Sequence, residues 1–264
     1  MKKFLWLIST AVLVVILMLV SVLNFSKTKP KDSLSPLLLQ AQELKTKGEL
    51  LNAKAIYQKL ISEFANSNQV GLWQKELEAL NIKLLFSPIP TAGSIIYEIK
   101  PGDSLKKIAR EFKTTVDLIK KANNLTSDKI LPGKKIKVWN APFSILIDKS
   151  QNTLILKTND EIIKTYIVST GVNNSTPVGK FKITQKLINP TWFKDGKAIP
   201  AGSPENILGS RWLGFDLPGY GIHGTTDPES LGKQVTQGCV RMSNHDVEEL
   251  YLIVPEGTEV VIVD

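Results

Sequence analysis

The single cysteine of this 264-residue chain, Cys239, and one of its two histidines, His223, fall within one block of about twenty residues, Ile222 to Met242. A cysteine attacks as thiolate, and a neighbouring imidazole can create that thiolate by taking its proton. Closeness in sequence is not contact, because such pairs meet in space. From residue types alone two accounts stay open. Cys239 is a small buried apolar side chain and His223 a hydrogen-bonded residue at a strand end, or the two are a nucleophile and its base. Two neighbours favour the second account. Gly238 lets backbone approach a ligand closely, and Arg241 puts a permanent cation two residues from the sulfur. The Gly-Cys-x-Arg turn also leaves backbone N–H groups at Gly238 and Cys239 that can face a developing oxyanion.

Competing sites are weaker. His245 lies six residues beyond Cys239, at the start of a predicted helix, where exposure is expected. Ser169, Thr170 and Thr176 lack a nucleophile-elbow context. One cysteine and two histidines at this spacing are too few for a metal centre. No phosphate loop or dinucleotide fingerprint occurs, so no cofactor is expected.

The string His223-Gly224 … Thr236-Gln237-Gly238-Cys239-Val240-Arg241 resembles the signature of the YkuD-type L,D-transpeptidase catalytic domain, a histidine followed by Ser/Thr-x-Gly-Cys-x-Arg. The resemblance runs from about Phe143 to Val263, in order through Val168–Gly171, Thr176–Phe181, Asn189–Trp192, Gly219–Gly224 and Leu250-Tyr251. Gln237 departs from it, since histidine or arginine is frequent there in the family. The resemblance implies acyl transfer through a thioester on Cys239, with His223 as base and the Gly224 carbonyl orienting the imidazole. Backbone N–H groups of Gly238 and Cys239 would hold the oxyanion. Arg241 would either steer anionic stem peptides or pair internally, and Tyr220, Thr236 and Trp192 would contact substrate. The donor would be a peptidoglycan stem, cut between an L-configured centre and a terminal D-residue. Attack by a second stem gives a cross-link, attack by water trims the stem, and attack by a protein amine fixes that protein to the wall.

Around this block the chain divides into segments. Hydrophobic residues make up 42% of it, enough to give two or three small domains a core each. The net charge of +8 is uneven: residues 1–96 carry 11 basic and 6 acidic groups, 97–140 carry 11 and 5, and 141–264 carry 11 and 14, or +5, +6 and −3. The basic excess therefore lies outside the expected catalytic domain. No reader helix with interleaved aromatics and no Cys/His finger accompanies it, so a nucleic-acid partner is not expected. Solvated lysines or attraction to an anionic envelope surface account for the charge.

Phe4 to Phe25 is an apolar run of 22 residues after Lys2 and Lys3; as a helix it would reach about 33 Å, enough to cross a hydrocarbon core. With no small-residue cleavage site after it, residues 1–26 read as an uncleaved signal-anchor crossing the cell membrane once; the substrate that the resemblance implies for the catalytic domain puts the rest outside, in periplasm or outer wall space, and cleavage would make the chain secreted. Residues 35–86 read as two or three helices, a spacer, with Ile56, Leu60 and Phe64 on one stripe and Trp73, Leu77, Leu80 and Leu84 on another. The order Ala41, Leu44, Gly48, Ala53, Tyr57 is similar to one tetratricopeptide-like repeat. Ser87 to Gly93 is rich in proline and small residues and opens a linker, 87–96.

Residues 97–139 read as strand, helix, helix, strand. They resemble a LysM module through Pro101-Gly102-Asp103-Ser104-Leu105, Asn123-Asn124-Leu125 and Ile130-Leu131-Pro132-Gly133. The resemblance implies binding of N-acetylglucosamine-containing glycan in a shallow groove holding Asp103, Leu125 and Ile130, although these three residues can equally cap and pack the module. From 143 to 264 the pattern turns to period two and predicts a mainly-β catalytic domain, a sandwich or barrel. The expected whole is multidomain: anchor, helical segment, βααβ module, mainly-β domain.

Overall fold

The computed structural model describes residues 34–159 and 161–264. The expected anchor lies outside the described residues, and among those described no helix is long and apolar enough to cross a membrane. The chain divides into two compact units after Trp73.

In the first unit, α1 (Leu34–Thr46) and α2 (Leu50–Glu63) form a helical hairpin. Gly48, at φ 76°, makes the reversal between them, a left-handed conformation that glycine adopts without penalty. Ala41, Leu50, Ala53, Tyr57 and Leu60 are buried. Phe64 meets Trp73 edge-on at 6.5 Å.

The second unit begins within α3 (Val70–Leu85). The sequence predicts one helical spacer over 35–86, yet the end of α3 is part of the catalytic unit. Leu85 joins the catalytic core, and Asn81 Nδ2 donates to the carbonyls of Ile162 and Ile163 at 3.1 and 3.2 Å. The buried ammonium of Lys137 donates to Leu84 O at 2.7 Å and Ser87 O at 2.9 Å, satisfying carbonyls that a helix end leaves open. Burial draws the pKa of Lys137 down to about 8. The linker is also shorter than expected, because pairing of the next strand starts at Ser94, opposite Trp139.

That strand is β1 (Ser94–Glu98), followed by α4 (Leu105–Glu111), α5 (Val116–Ala122) and β2 (Lys135–Trp139), with β1 and β2 antiparallel. The helices start where capping residues stand: Ser104 Oγ accepts from Lys107 N, and Thr115 Oγ1 from Leu118 N. Tyr97, Ile99, Leu105, Ile108, Ile119, Ile136 and Val138 form the module's own core.

The catalytic part is an eight-stranded sheet. Its strands, in chain order, are β3 (Phe143–Asp148), β4 (Thr153–Thr158), β5 (Glu161–Ile167), β7 (Gly179–Ile188), β10 (Arg211–Phe215), β11 (Gly221–His223), β13 (Val240–Arg241) and β14 (Glu259–Val263). In space they run β13-β11-β10-β7-β14-β3-β4-β5. Pairing is antiparallel except for β11 with β13 and β14 with β3. Two small ribbons accompany it: β6 (Thr170–Gly171) with β12 (Gln234–Thr236), and β8 (Trp192–Lys194) with β9 (Lys197–Ile199). Alternation decides the faces: Phe143, Ile145 and Ile147, with Leu154 and Leu156, turn into one core with Val260 and Ile262. Helix α6 (Asn244–Ile253) adds Val247, Leu250 and Ile253 to it, after Ser243 Oγ caps its start by accepting from Asp246 N at 3.0 Å.

Candidate active site

The site forms where β11 and β13 lie side by side. Their parallel register sets Ile222 against Val240 and His223 against Arg241. Ile222 and Val240 are fully buried in the core, so alternation turns His223, Arg241 and the residue two before it, Cys239, to the other face. A separation of 16 positions between His223 and Cys239 thus becomes a diagonal neighbour relation across the β11–β13 pairing.

Cys239 stands on the turn entering β13, half-buried, with its Sγ–H directed to Gly219 O at 3.4 Å. Three bonds shape this turn. Thr236 Oγ1 donates to Cys239 O at 2.6 Å, Gly238 N donates to Thr236 Oγ1 at 3.2 Å, and Arg241 N donates to Ser169 O at 2.9 Å. Gly238 is required twice over. Its φ is +127°, and a Cβ there would come within 2.8 Å of the Tyr220 ring and 3.1 Å of Ser175 O. Burial pushes the Cys239 thiol above its ordinary pKa, with the Gly221 N–H and Arg241 acting in the opposite direction.

His223 is 2% exposed. Its Nδ1 lies 2.7 Å from Gly224 O. A carbonyl only accepts, so Nδ1 carries the ring proton and Nε2 keeps its lone pair. Burial lowers the imidazole's pKa to about 4, against the raising effect of the Gly224 bond and with a further lowering from Arg241. At neutral pH the thiol and the imidazole are therefore both uncharged. The Trp212 ring stacks on the imidazole, centroids 6.1 Å apart and planes 21° apart.

The loop after His223 is held by one side chain. Asn244 Oδ1 accepts from Ser210 N at 3.0 Å and Thr225 N at 3.1 Å, and its Nδ2 donates to Thr225 O at 2.8 Å. A Cβ on Gly224 would lie 2.2 Å from that Oδ1, so Gly224 is glycine because Asn244 occupies the space. A cavity of about 340 Å3 opens beside Cys239, lined by Gln185, Leu187, Trp192, Phe193, Trp212 and Gly219 among others. Phe193, on the β8–β9 ribbon, is 76% exposed.

Several expected roles change with this geometry. The Gly238 N–H is already bonded to Thr236 Oγ1, which leaves the Cys239 N–H, without a partner among the described residues, as the turn's open donor. Thr236 is buried and braces the turn instead of facing a substrate. Arg241 pairs internally, donating to Ser230 Oγ at 2.8 Å with Asp227 at 3.8 Å, so it is not free to steer a stem. Tyr220 packs against Gly238, and Trp192 lines the cavity. His245 is exposed at the start of α6. Sequence reasoning passed over Trp212, which meets His223 only through the β10–β11 register, and Asn244, whose bonds to Ser210 and Thr225 exist only in the folded chain.

In the small module, Asp103 turns its carboxylate inward, 3% exposed. It accepts from Tyr97 Oη and Lys100 N, both at 2.8 Å. The Lys100 N–H and then Tyr97 hold its pKa below the usual range, and the same bond pushes Tyr97 up to about 12. Its placement is that of a loop brace. Leu125 and Ile130 are half-buried against the module core.

Fold and site together define a mainly-β domain with a histidine at the end of one strand and a cysteine on the turn that enters its neighbour, carried beside a βααβ module. Residues 142–262 match the L,D-transpeptidase catalytic domain of the YkuD family, and residues 97–139 match the LysM domain. A Bacillus licheniformis protein named for the L,D-transpeptidase YkuD is 36% identical over 176 residues, which cover 64% of this chain and 98% of that protein. Its namesake from Bacillus subtilis is 35% identical over 175 residues, covering 64% and 98%. A solved L,D-transpeptidase from Mycobacterium smegmatis is 20% identical with a TM-score of 0.42, over 51% of this chain and 65% of that one. The chain belongs to the YkuD family of L,D-transpeptidases and carries a LysM domain.

Proposed function

We propose that the chain is a peptidoglycan L,D-transpeptidase that works through a thioester on Cys239, positioned by glycan binding at the LysM module and tethered to the membrane by residues 4–25. The observation that carries the chemistry is the neutral His223, its Nδ1–H tied to Gly224 O and its Nε2 unprotonated, one strand from Cys239. Because burial raises the thiol and lowers the imidazole, the pair rests uncharged and the proton moves during attack. Cys239 Sγ bonds to the donor carbonyl carbon while Nε2 takes the thiol proton. The oxyanion is held by the Cys239 N–H, an interaction of a kind that contributes about 3–4 kcal/mol to lowering a barrier. Collapse breaks the amide bond, and the imidazolium returns the proton to the departing D-amino acid's amine. An acceptor amine then attacks the thioester, gives its proton to Nε2, and Cys239 leaves to regain its thiol.

Gly238 and Gly224 serve this sequence through space and conformation, Thr236 by bracing the turn, and Arg241 by its field on the thiolate. Trp192 and Tyr220 border the donor. In the LysM groove Leu125 and Ile130 offer the apolar surface for a sugar face, and Asp103 fixes the loop that frames it.

The test is intact-protein mass after incubation with a carbapenem or a stem tetrapeptide. Wild type should gain one acyl adduct and Cys239→Ala none; an equal gain in both refutes the thioester. Product analysis with and without an acceptor amine then separates cross-linking from trimming. Wall binding with no acylation of wild type would leave a binding protein only.

A further inference from the structure

A second recess lies on the other side of the catalytic sheet. β7 alternates: Gln185 and Leu187 line the Cys239 cavity, while Lys186 between them lines a cleft of about 1120 Å3 where the LysM module meets the catalytic domain. From the module, Lys106, Arg110 and Lys113 line the same cleft at i, i+4 and i+7, all exposed. None of these three makes an ion pair among the described residues. Lys106 and Arg110 stand about one turn apart on α4, roughly 6 Å along its axis, and Lys113 lies two residues beyond the helix end at φ 51°, so the cations are spread along the wall and not gathered at a point. Lys186 donates to Tyr251 O and Val254 O, both at 2.7 Å. Burial draws its pKa down to about 8 while Asp117 and Glu256 pull it up, so it is a cation at neutral pH. Those two carboxylates line the cleft too, leaving four cations against two anions.

Thr114, 6% exposed, stands in the same wall, and its Oγ1 has no hydrogen-bond partner. A buried hydroxyl without a partner is costly; this oxygen is closed to solvent, so Thr114 belongs to the wall and is not a contact for an occupant. The two walls are joined: Thr115 Oγ1 donates to Leu252 O, and Trp139 stacks on Phe143 at 5.4 Å across the junction. The cleft is therefore preformed.

We propose that this cleft binds a phosphodiester-linked polyanion, one phosphate after another along the Lys106–Arg110–Lys113 wall. Arginine and lysine match phosphate oxygens, arginine with two parallel bonds. A recess between two modules admits a flexible chain, whereas a flat bilayer surface would not reach Lys186. Since the cleft is on the face away from Cys239, an occupant tethers the protein without entering the reaction, and the proposal does not depend on the thioester chemistry.

The test uses the full chain and labelled poly(glycerol phosphate) in an anisotropy titration. Lys106→Glu, Arg110→Glu and Lys113→Glu combined should weaken binding about tenfold or more, and wild-type binding should fade at about 0.3 M salt. The Gln triple should lose affinity in the same direction with less disturbance of the fold. The same charge reversal at Lys59, Lys121 and Lys129 should leave affinity within about twofold of wild type, and Cys239 acylation should be unchanged in all. Equal loss in the control triple, equal affinity for poly(glutamate), or binding seen only with phosphatidylglycerol vesicles would overturn the proposal.

Discussion

His223 is buried neutral, and this makes a measurable link between stability and pH. In an unfolded chain its imidazole titrates near 6.5, whereas in the fold burial lowers it to about 4. A depressed histidine leaves stability intact above pH 6.5. Below that the unfolded state takes up a proton that the folded state refuses, so stability is lost as pH falls from 6.5 towards 4. Each unit of difference corresponds to about 1.4 kcal/mol, so the loss between pH 7 and pH 4 is about 3 kcal/mol from this residue alone. Carboxylates titrate in the same window and would hide it in wild type. The comparison is therefore with His223→Gln, which keeps a polar donor but has no proton to gain. Urea unfolding of both proteins at half-unit steps from pH 7 to 4 should give curves that converge by about 3 kcal/mol as pH falls. Parallel curves would refute the burial argument and with it the uncharged resting pair. Acylation should follow the same logic, staying level from neutrality down to about pH 5.

Two further substitutions test how the site is held. Gly238→Ala forces a Cβ into the Tyr220 ring at 2.8 Å on a φ of +127°; acylation should fall by about 100-fold and stability by about 1–3 kcal/mol, read by stopped-flow acylation and thermal unfolding. Asn244→Ala strands the N–H groups of Ser210 and Thr225; a stability loss of about 2–3 kcal/mol is expected. It should also slow acylation more than it weakens donor binding, since the loop carrying Gly224 O loses its brace, and an unchanged acylation rate would sink that role.

The periodic parts of the fold were legible because local rules produce them. Ser104 and Thr115 stand where helices need caps, and alternation along residues 143–147 and 154–156 turns one face inward whichever strand lies alongside. The chemistry-bearing block was legible for a different reason: a lone cysteine, a histidine and tightly spaced glycines crowd one short stretch. The spacer boundary was misjudged because α3 follows the same helical period as α1 and α2, and nothing in a period says that Asn81 will bond to β5.

By itself, the sequence determined that a thiol and an imidazole would sit on short strands in a β-rich domain behind a βααβ module, since residue type, spacing and alternation are properties of the chain. Which face they share was decided by the parallel register of β11 and β13, a pairing between residues 18 apart that no local preference encodes. The tertiary structure also decided their state: burial beside Trp212 neutralises His223, the Gly224 carbonyl selects its tautomer, and Thr236 takes the Gly238 N–H. Charge state and donor availability depend on what surrounds a group in space, and that is known only once distant strands have met.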